Sequence, residues 1–224
     1  DIVDPTYSGN EVNRTIYRVF IENLKEDFQA DTVLMSHVFE HFYDPIKIMD
    51  IFYKNKSIKH IYLNFPDLEK YIKTGNYHVL NPEHIFYVEN QYIVDLFKKY
   101  GFELKRNYYH EDHSVFFEFI RTSDSISNSK IINIAAENDV KNYFNAIFNK
   151  IEHIQKHIVN KKTYIWPCSM HTNYLFALGL DKSKITAILD NAPHKIGKYL
   201  YGTELQCQSF NDIIKTDEEI VIIL

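Results

Sequence analysis

Two cysteines in 224 residues, Cys168 and Cys207, are too few for a disulfide framework or an all-cysteine zinc site. That count fits a reducing compartment, and the chain is read as cytoplasmic. Basic excess is missing too: 25 Lys and Arg stand against 30 Asp and Glu, for a formal net charge of −5. Without a broad cationic surface to neutralise phosphates, nucleic acid is not an expected partner. No run reaches the roughly 18 apolar residues of a membrane span, and no stretch has the pattern of a secretory signal. No repeat of solenoid period is present. What remains is an ordinary globular composition, 45% hydrophobic and 25% charged, with 17 Tyr and 16 Phe to fill cores. The chain opens on DIVDP, which reads as the tail of a strand, and closes on EEIVIIL, a strand with nothing after it. The expectation is a fragment of a longer protein.

Periodicity divides the chain into two α/β parts. Short strands are expected at 2–3, 15–20, 32–35 and 60–64, with a helix over 46–53 opened by Asp44-Pro45. A new element is expected from Pro82, an amphipathic helix over 91–100 ended by Gly101, and two final strands at 102–105 and 114–120. The polar, Ser-rich stretch 122–130 reads as a linker, and the spacing of Tyr143, Phe144, Ile147, Phe148, Ile151, Ile154 and Ile158 predicts a long helix. From Lys162 the pattern becomes strand, helix, strand, then Asp190, a second α/β unit. The expected divisions are 1–121, 122–160 and 161–224.

The segment DTVLMSHVFEHFYDP, residues 31–45, concentrates the chemistry. An apolar run ends abruptly in Ser36, His37, Glu40, His41 and Asp44. Open α/β sheets place their sites just past the carboxyl ends of such strands. The same letters spell H-x-x-E-H, a zinc-peptidase signature, with Glu118 as a later acid. That motif needs a helix to aim both histidines at one metal. Here it follows a strand and precedes Asp-Pro, so no metal is assigned. His110 with His113, and His153 with His157, read as a solvated hairpin and a polar helix face.

Taken in order, this segment, the strand ending N-F-P-D, and the stretch GNYHVLNPEHIFYVENQYIVDLFKKYGFEL resemble the class I S-adenosylmethionine-dependent methyltransferases. Within them, the Glu-His-aromatic motif before a GFEL strand and the later LDNAPHKIGKYLYGT are similar to the sugar C-methyltransferases. The resemblance implies a Rossmann-like α/β sheet, partial here, followed by a long helix and a smaller α/β unit. It implies S-adenosylmethionine as cofactor and a nucleotide-linked sugar or bacterial surface-glycan precursor as acceptor. Asp4 would hold the ribose hydroxyls, Glu22 and Asn23 the adenine, and Ser36 and His37 would border the sulfonium. His84 is the expected base, with His41 beside it and Glu83 orienting a histidine or binding a sugar hydroxyl. Tyr87, Asp190 and Lys195 would contact substrate, the lysine as a point charge on a diphosphate. The family's glycine-rich cofactor loop would lie before residue 1. Its usual Tyr two positions before Glu83 is Asn81, and the second unit's glycine-rich turn reads Pro167-Cys168-Ser169-Met170. These departures leave a non-catalytic, methyltransferase-like binding module as the alternative.

Overall fold

Apolar, β-branched runs separated by polar turns build the sheets in both halves of the chain. The computed structural model describes residues 2–3, 6, 8–9, 15–25, 28–76, 81, 83–110, 113–128, 136–213 and 219–224. The chain divides into two compact units, Asp1–Glu137 and Asn138–Leu224. Both are α/β and Rossmann-like in containing parallel β-α-β crossovers.

In the first unit, β1 (Ile2–Val3) and β2 (Ile16–Tyr17) form a short parallel pair. The expected strand over 15–20 stops at Tyr17, and the chain turns through a single 3-10 turn at Ile21–Asn23. The main sheet has the order β3-β4-β6-β5, where β3 is Thr32–Ser36, β4 His60–Pro66, β5 Phe102–His110 and β6 Ser114–Arg121. β3 and β4 are parallel, in register from Thr32↔His60 to Ser36↔Asn64. Their crossover is helix α1 (Pro45–Lys54), started as its sequence predicts. Proline occupies the first turn, and the Asp44 side chain accepts the Lys47 N–H at 3.0 Å. β6 pairs antiparallel with both β4 and β5.

The core lies between this sheet and helices α1 and α3 (Asn90–Lys99). Phe97, Phe119 and Phe117 stack successively, with centroids 4.2 Å and 5.7 Å apart. Each such fully buried side chain contributes about 1.5–3 kcal/mol. Arg121 ties the end of β6 to the end of α1. Its guanidinium donates to the carbonyls of Phe52, Asn55 and Ile58 and lies 4.4 Å from the Phe102 ring centroid. Helix α2 (Leu68–Thr74) was not anticipated, although Asp67 caps it by accepting the Lys70 N–H and Gly75 ends it at φ +69°. Residues 83–89 form no regular element, and Pro82 lies outside the described residues.

The second unit begins within α4 (Ala136–His157), close to the helix its spacing predicts. Ile151 and Ile158 belong to the core formed with Ile165, Ile185, Ile188 and Ile223. Its sheet is parallel throughout, in the order β10-β7-β8-β9: β7 is Lys162–Ile165, β8 Ala187–Leu189, β9 Cys207–Gln208 and β10 Ile220–Ile223. Helix α5 (Met170–Ala177) links β7 to β8. The short β9 and the one-turn α6 (Phe210–Ile213) carried no readable signal.

Candidate functional site

The chain turns sharply where β3 ends. Ser36 is exposed, and His37 adopts φ +50°, a left-handed conformation that costs a non-glycine residue energy. The turn is held by β4: the His37 N–H donates to both the backbone carbonyl and the side-chain Oδ1 of Asn64, each at 3.0 Å. One 3-10 turn, Phe39–His41, follows. Phe39 is buried against Phe42, Phe86 and Phe97, which forces its neighbour Glu40 inside as well.

Glu40 is only 4% exposed. Its Oε1 lies 3.2 Å from His37 Nδ1 and 4.0 Å from His84 Nε2, while Oε2 has no hydrogen-bond partner among the described residues. A carboxylate accepts, so His37 donates through Nδ1 and its Nε2 accepts from the Ser114 hydroxyl at 3.1 Å. Ser114 is also hydrogen-bonded to His113 Nδ1. The loop carrying His84 is stitched onto the Phe39–His41 turn by two bonds. The Ile85 N–H donates to the Glu40 carbonyl at 2.9 Å, and His41 Nδ1 to the Glu83 carbonyl at 2.8 Å. Because a carbonyl only accepts, His41 carries its proton on Nδ1, leaving Nε2 as the accepting nitrogen when the ring is neutral. The His41 and His84 rings meet edge to face, with centroids 5.1 Å apart.

Asn81 fixes His84. Its Oδ1 accepts the Glu83 N–H at 3.0 Å, which orients the amide so that Nδ2 donates to His84 Nε2 at 3.2 Å. Burial pushes the His84 imidazole below its ordinary pKa; Glu40 opposes the shift, and His41 and His37 add to it. His84 is therefore neutral at physiological pH. Tyr87 donates its hydroxyl to the Asn81 carbonyl at 2.6 Å, and burial holds its pKa above the usual value.

Two cavities adjoin this cluster. One, of about 20 Å3, is walled by Glu40, His84, Phe39, Phe65, Phe86 and Tyr87. The other, a cleft of about 310 Å3, shares Phe39 and Phe86 and opens between Tyr43, Ile85 and Tyr92. A volume of a few hundred Å3 with aromatic walls suits a small organic ligand.

The structure thus brings together His37, His41, His84 and Tyr87 and the backbone of Glu83. The Glu83 side chain is exposed, so this residue acts on His41 through its carbonyl. Ser36 borders the same turn. Glu22 and Asn23 sit on the 3-10 turn after β2, half-buried and exposed respectively, beside α1. Asp4 lies outside the described residues, as do Glu111 and Asp112 of the histidine-flanked hairpin. In the second unit Asp190 and Lys195 pair at 2.8 Å, and the lysine also donates to the Cys168 carbonyl. Asn64, Ser114 and the supporting role of Asn81 were missed. The H-x-x-E-H geometry fails: His37 is a left-handed turn residue, His41 closes a 3-10 turn, and no α-helix presents both to one ion. Glu118 sits in mid-β6, ion-paired with Arg106 and Lys105.

No protein-family model matches the chain, and no curated protein matches it. Among solved structures, it is similar to the crystal structure of magnesium protoporphyrin IX methyltransferase from Synechocystis PCC 6803 with bound SAH. The TM-score is 0.36 and the identity 17%, over 48% of this chain and 51% of that one. The chain therefore spans about half the length of that structure, and a likeness this low carries no argument about fold or activity.

Proposed function

We propose that the chain is part of an S-adenosylmethionine-dependent methyltransferase whose acceptor is a nucleotide-linked sugar or a related surface-glycan precursor. One observation carries the reading. His41, His84 and Glu40, drawn from two motifs that resemble that family, assemble just past the carboxyl ends of parallel β3 and β4, beside the cleft.

The cofactor supplies the methyl group, which moves from sulfonium to acceptor by in-line displacement. The protein's tasks are to align the acceptor and take its proton. His41 is suited to the second task, since its Nδ1–H rests on the Glu83 carbonyl and its Nε2 accepts. His84 was the expected base, but its Nε2 is held by Asn81, which supports a packing and positioning role. Asp4, Glu22 and Asn23 are proposed for the adenosine moiety, Ser36 and His37 for the sulfonium side, and Tyr87 for the acceptor. Lys195 keeps one of its three N–H donors beyond Asp190 and Cys168, enough for a point contact with a diphosphate.

The test is titration calorimetry of S-adenosylmethionine with the protein in its longest natural form. Transfer of labelled methyl to a panel of sugar nucleotides would follow. Cofactor binding, with transfer lost in His41→Ala, is expected. Absence of cofactor binding overturns the reading. Binding without transfer to any acceptor favours the non-catalytic alternative, which the Asn81–His84 bond supports.

A further inference from the structure

We propose that Glu40, His41 and His84 form a binding site for one divalent transition-metal ion of the zinc class. The proposal stands apart from the methyl-transfer reading, because it rests on ligand geometry alone. One ring nitrogen from each histidine and one carboxylate oxygen lie within 4.8 Å of one another. Two imidazoles and a carboxylate are a donor set that suits zinc and its neighbours rather than magnesium or calcium, which prefer oxygen.

Three further observations point to the ion. First, the buried Glu40 carboxylate has one oxygen, Oε2, without a partner. The polar groups facing its other oxygen are imidazoles, His37 at 3.2 Å and His84 at 4.0 Å. A buried carboxylate is costly unless it is paired, and a divalent ion supplies the missing charge. Second, Glu40 and His84 wall a cavity of about 20 Å3, otherwise lined by apolar and aromatic side chains; His41 does not line it and adjoins it through its ring contact with His84. A guest of one-water size needs at least roughly 10–15 Å3 by the same measure. Third, the His41 Nδ1–H···O=C bond to Glu83 is the hydrogen bond that a metal-ligating histidine makes with its other nitrogen.

Closure is modest. Tetrahedral bonds of about 2.0–2.1 Å put ligand atoms roughly 3.3 Å apart. The 4.0 Å between Glu40 Oε1 and His84 Nε2 must shorten by less than 1 Å and no ligand pair by more than about 1.5 Å, with the Asn81 amide releasing His84. The half-exposed His41 ring keeps its Nδ1–H bond to the Glu83 carbonyl and would offer Nε2 to the ion. An ion so held takes up the nitrogen that His41 needs as a base, so occupancy and proton transfer exclude one another.

The experiment uses the whole chain, stripped with chelator, then titrated with Zn2+ by calorimetry and with Co2+ by visible absorption. One ion per chain and a tetrahedral Co2+ spectrum are expected. Since loss of a mere outer-shell partner weakens metal sites about 10–100-fold, loss of a ligand in His41→Ala or His84→Ala should cost about 100-fold or more. His37→Ala removes only a hydrogen-bond partner of the Glu40 carboxylate and should cost less, about 10–100-fold. His41 is half-exposed, so its variant tests the site even if His84→Ala misfolds, and far-UV circular dichroism reports folding in each. Three results overturn the proposal. They are no binding by the parent chain, binding undiminished in His41→Ala, or binding that disappears in His153→Ala, which would move the ion to the exposed His153–His157 pair on α4.

Discussion

A buried carboxylate with one unsatisfied oxygen should weigh on the stability of the first unit, and replacing it tests that directly. Glu40→Met removes the orphaned Oε2, whose burial costs about 1–3 kcal/mol. It also removes the acceptor for His37 Nδ1, worth about 1 kcal/mol. The flexible methionine packs against the Phe39, Phe65 and Phe86 side chains already lining the cavity. Glu40→Gln keeps the His37 acceptor but leaves a polar atom in the orphan's place. The methionine variant should therefore be the more stable of the two by about 1 kcal/mol. The assay is urea unfolding in chelator, followed by far-UV circular dichroism. The single tryptophan, Trp166, lies in the second unit and reports that unit's transition separately. With m about 1–3 kcal/mol/M, the first-unit midpoint should move by roughly 0.5 M while the Trp166 signal stays put. A methionine variant less stable than the glutamine variant refutes the reasoning, because Oε2 would then have a compensating partner.

Arg121→Met should cost about 3–5 kcal/mol in the first-unit transition, since it deletes three donors to backbone carbonyls and the Phe102 contact. Gly101→Ala should destabilise by about 2 kcal/mol or more, because a Cβ at φ +85° collides with the Ser123 carbonyl oxygen; calorimetric unfolding measures it. Asp190→Asn should cost about 1–3 kcal/mol at pH 7, read by Trp166 unfolding. Burial pushes the Asp190 carboxyl up, but the Lys195 ammonium and the N–H groups of Ala192 and Cys168 outweigh it, so the pKa lies below the usual range. A depressed folded pKa stabilises above the unfolded value of about 3.9 and is lost as pH falls through the folded one. The gap between variant and parent should therefore close in acid.

The strands were legible because Thr32–Met35, His60–Asn64 and Ser114–Ile120 are β-branched and aromatic runs closed by turn residues. The long helix was legible because its apolar positions recur at helical spacing. Helix α2 went unread because Phe65-Pro66-Asp67 signals a strand end, and the same Asp67 that ends the strand caps the helix. Expecting β2 to run to Phe20 overrated propensity, since Val19 and Phe20 are exposed. At the site, His41 and His84 were legible as members of motifs, but their coupling was not. It runs through the Ile85 N–H and the carbonyls of Glu40 and Glu83, backbone groups that every residue owns, across more than 40 positions of chain. For that reason the sequence pointed to the Glu83 side chain, while the contact the structure shows to His41 is made by the Glu83 carbonyl. Glu40 was weighed only as a letter of the zinc-peptidase motif, because the pattern shows its identity and not its burial.

Burial alone does not separate a working acid from a structural one. Glu40 and Asp190 are both buried, at 4% and 7% exposure, and both follow a strand of an α/β unit. Asp190 is satisfied: Oδ1 accepts from Ala192, and Oδ2 from Cys168 and Lys195. It works as a clasp for its own loop, and removing it should destabilise the second unit. Glu40 sits after a strained His37, keeps one oxygen without a partner, and faces a histidine held neutral. Three departures from local preference at one strand end are what functional sites show, since a sequence selected for stability alone would have removed them. The two acids should accordingly respond in opposite directions, with stability lost in Asp190→Asn and gained in Glu40→Met over Glu40→Gln. That opposition, once measured, would support the proposal that the Glu40 cluster is the functional one.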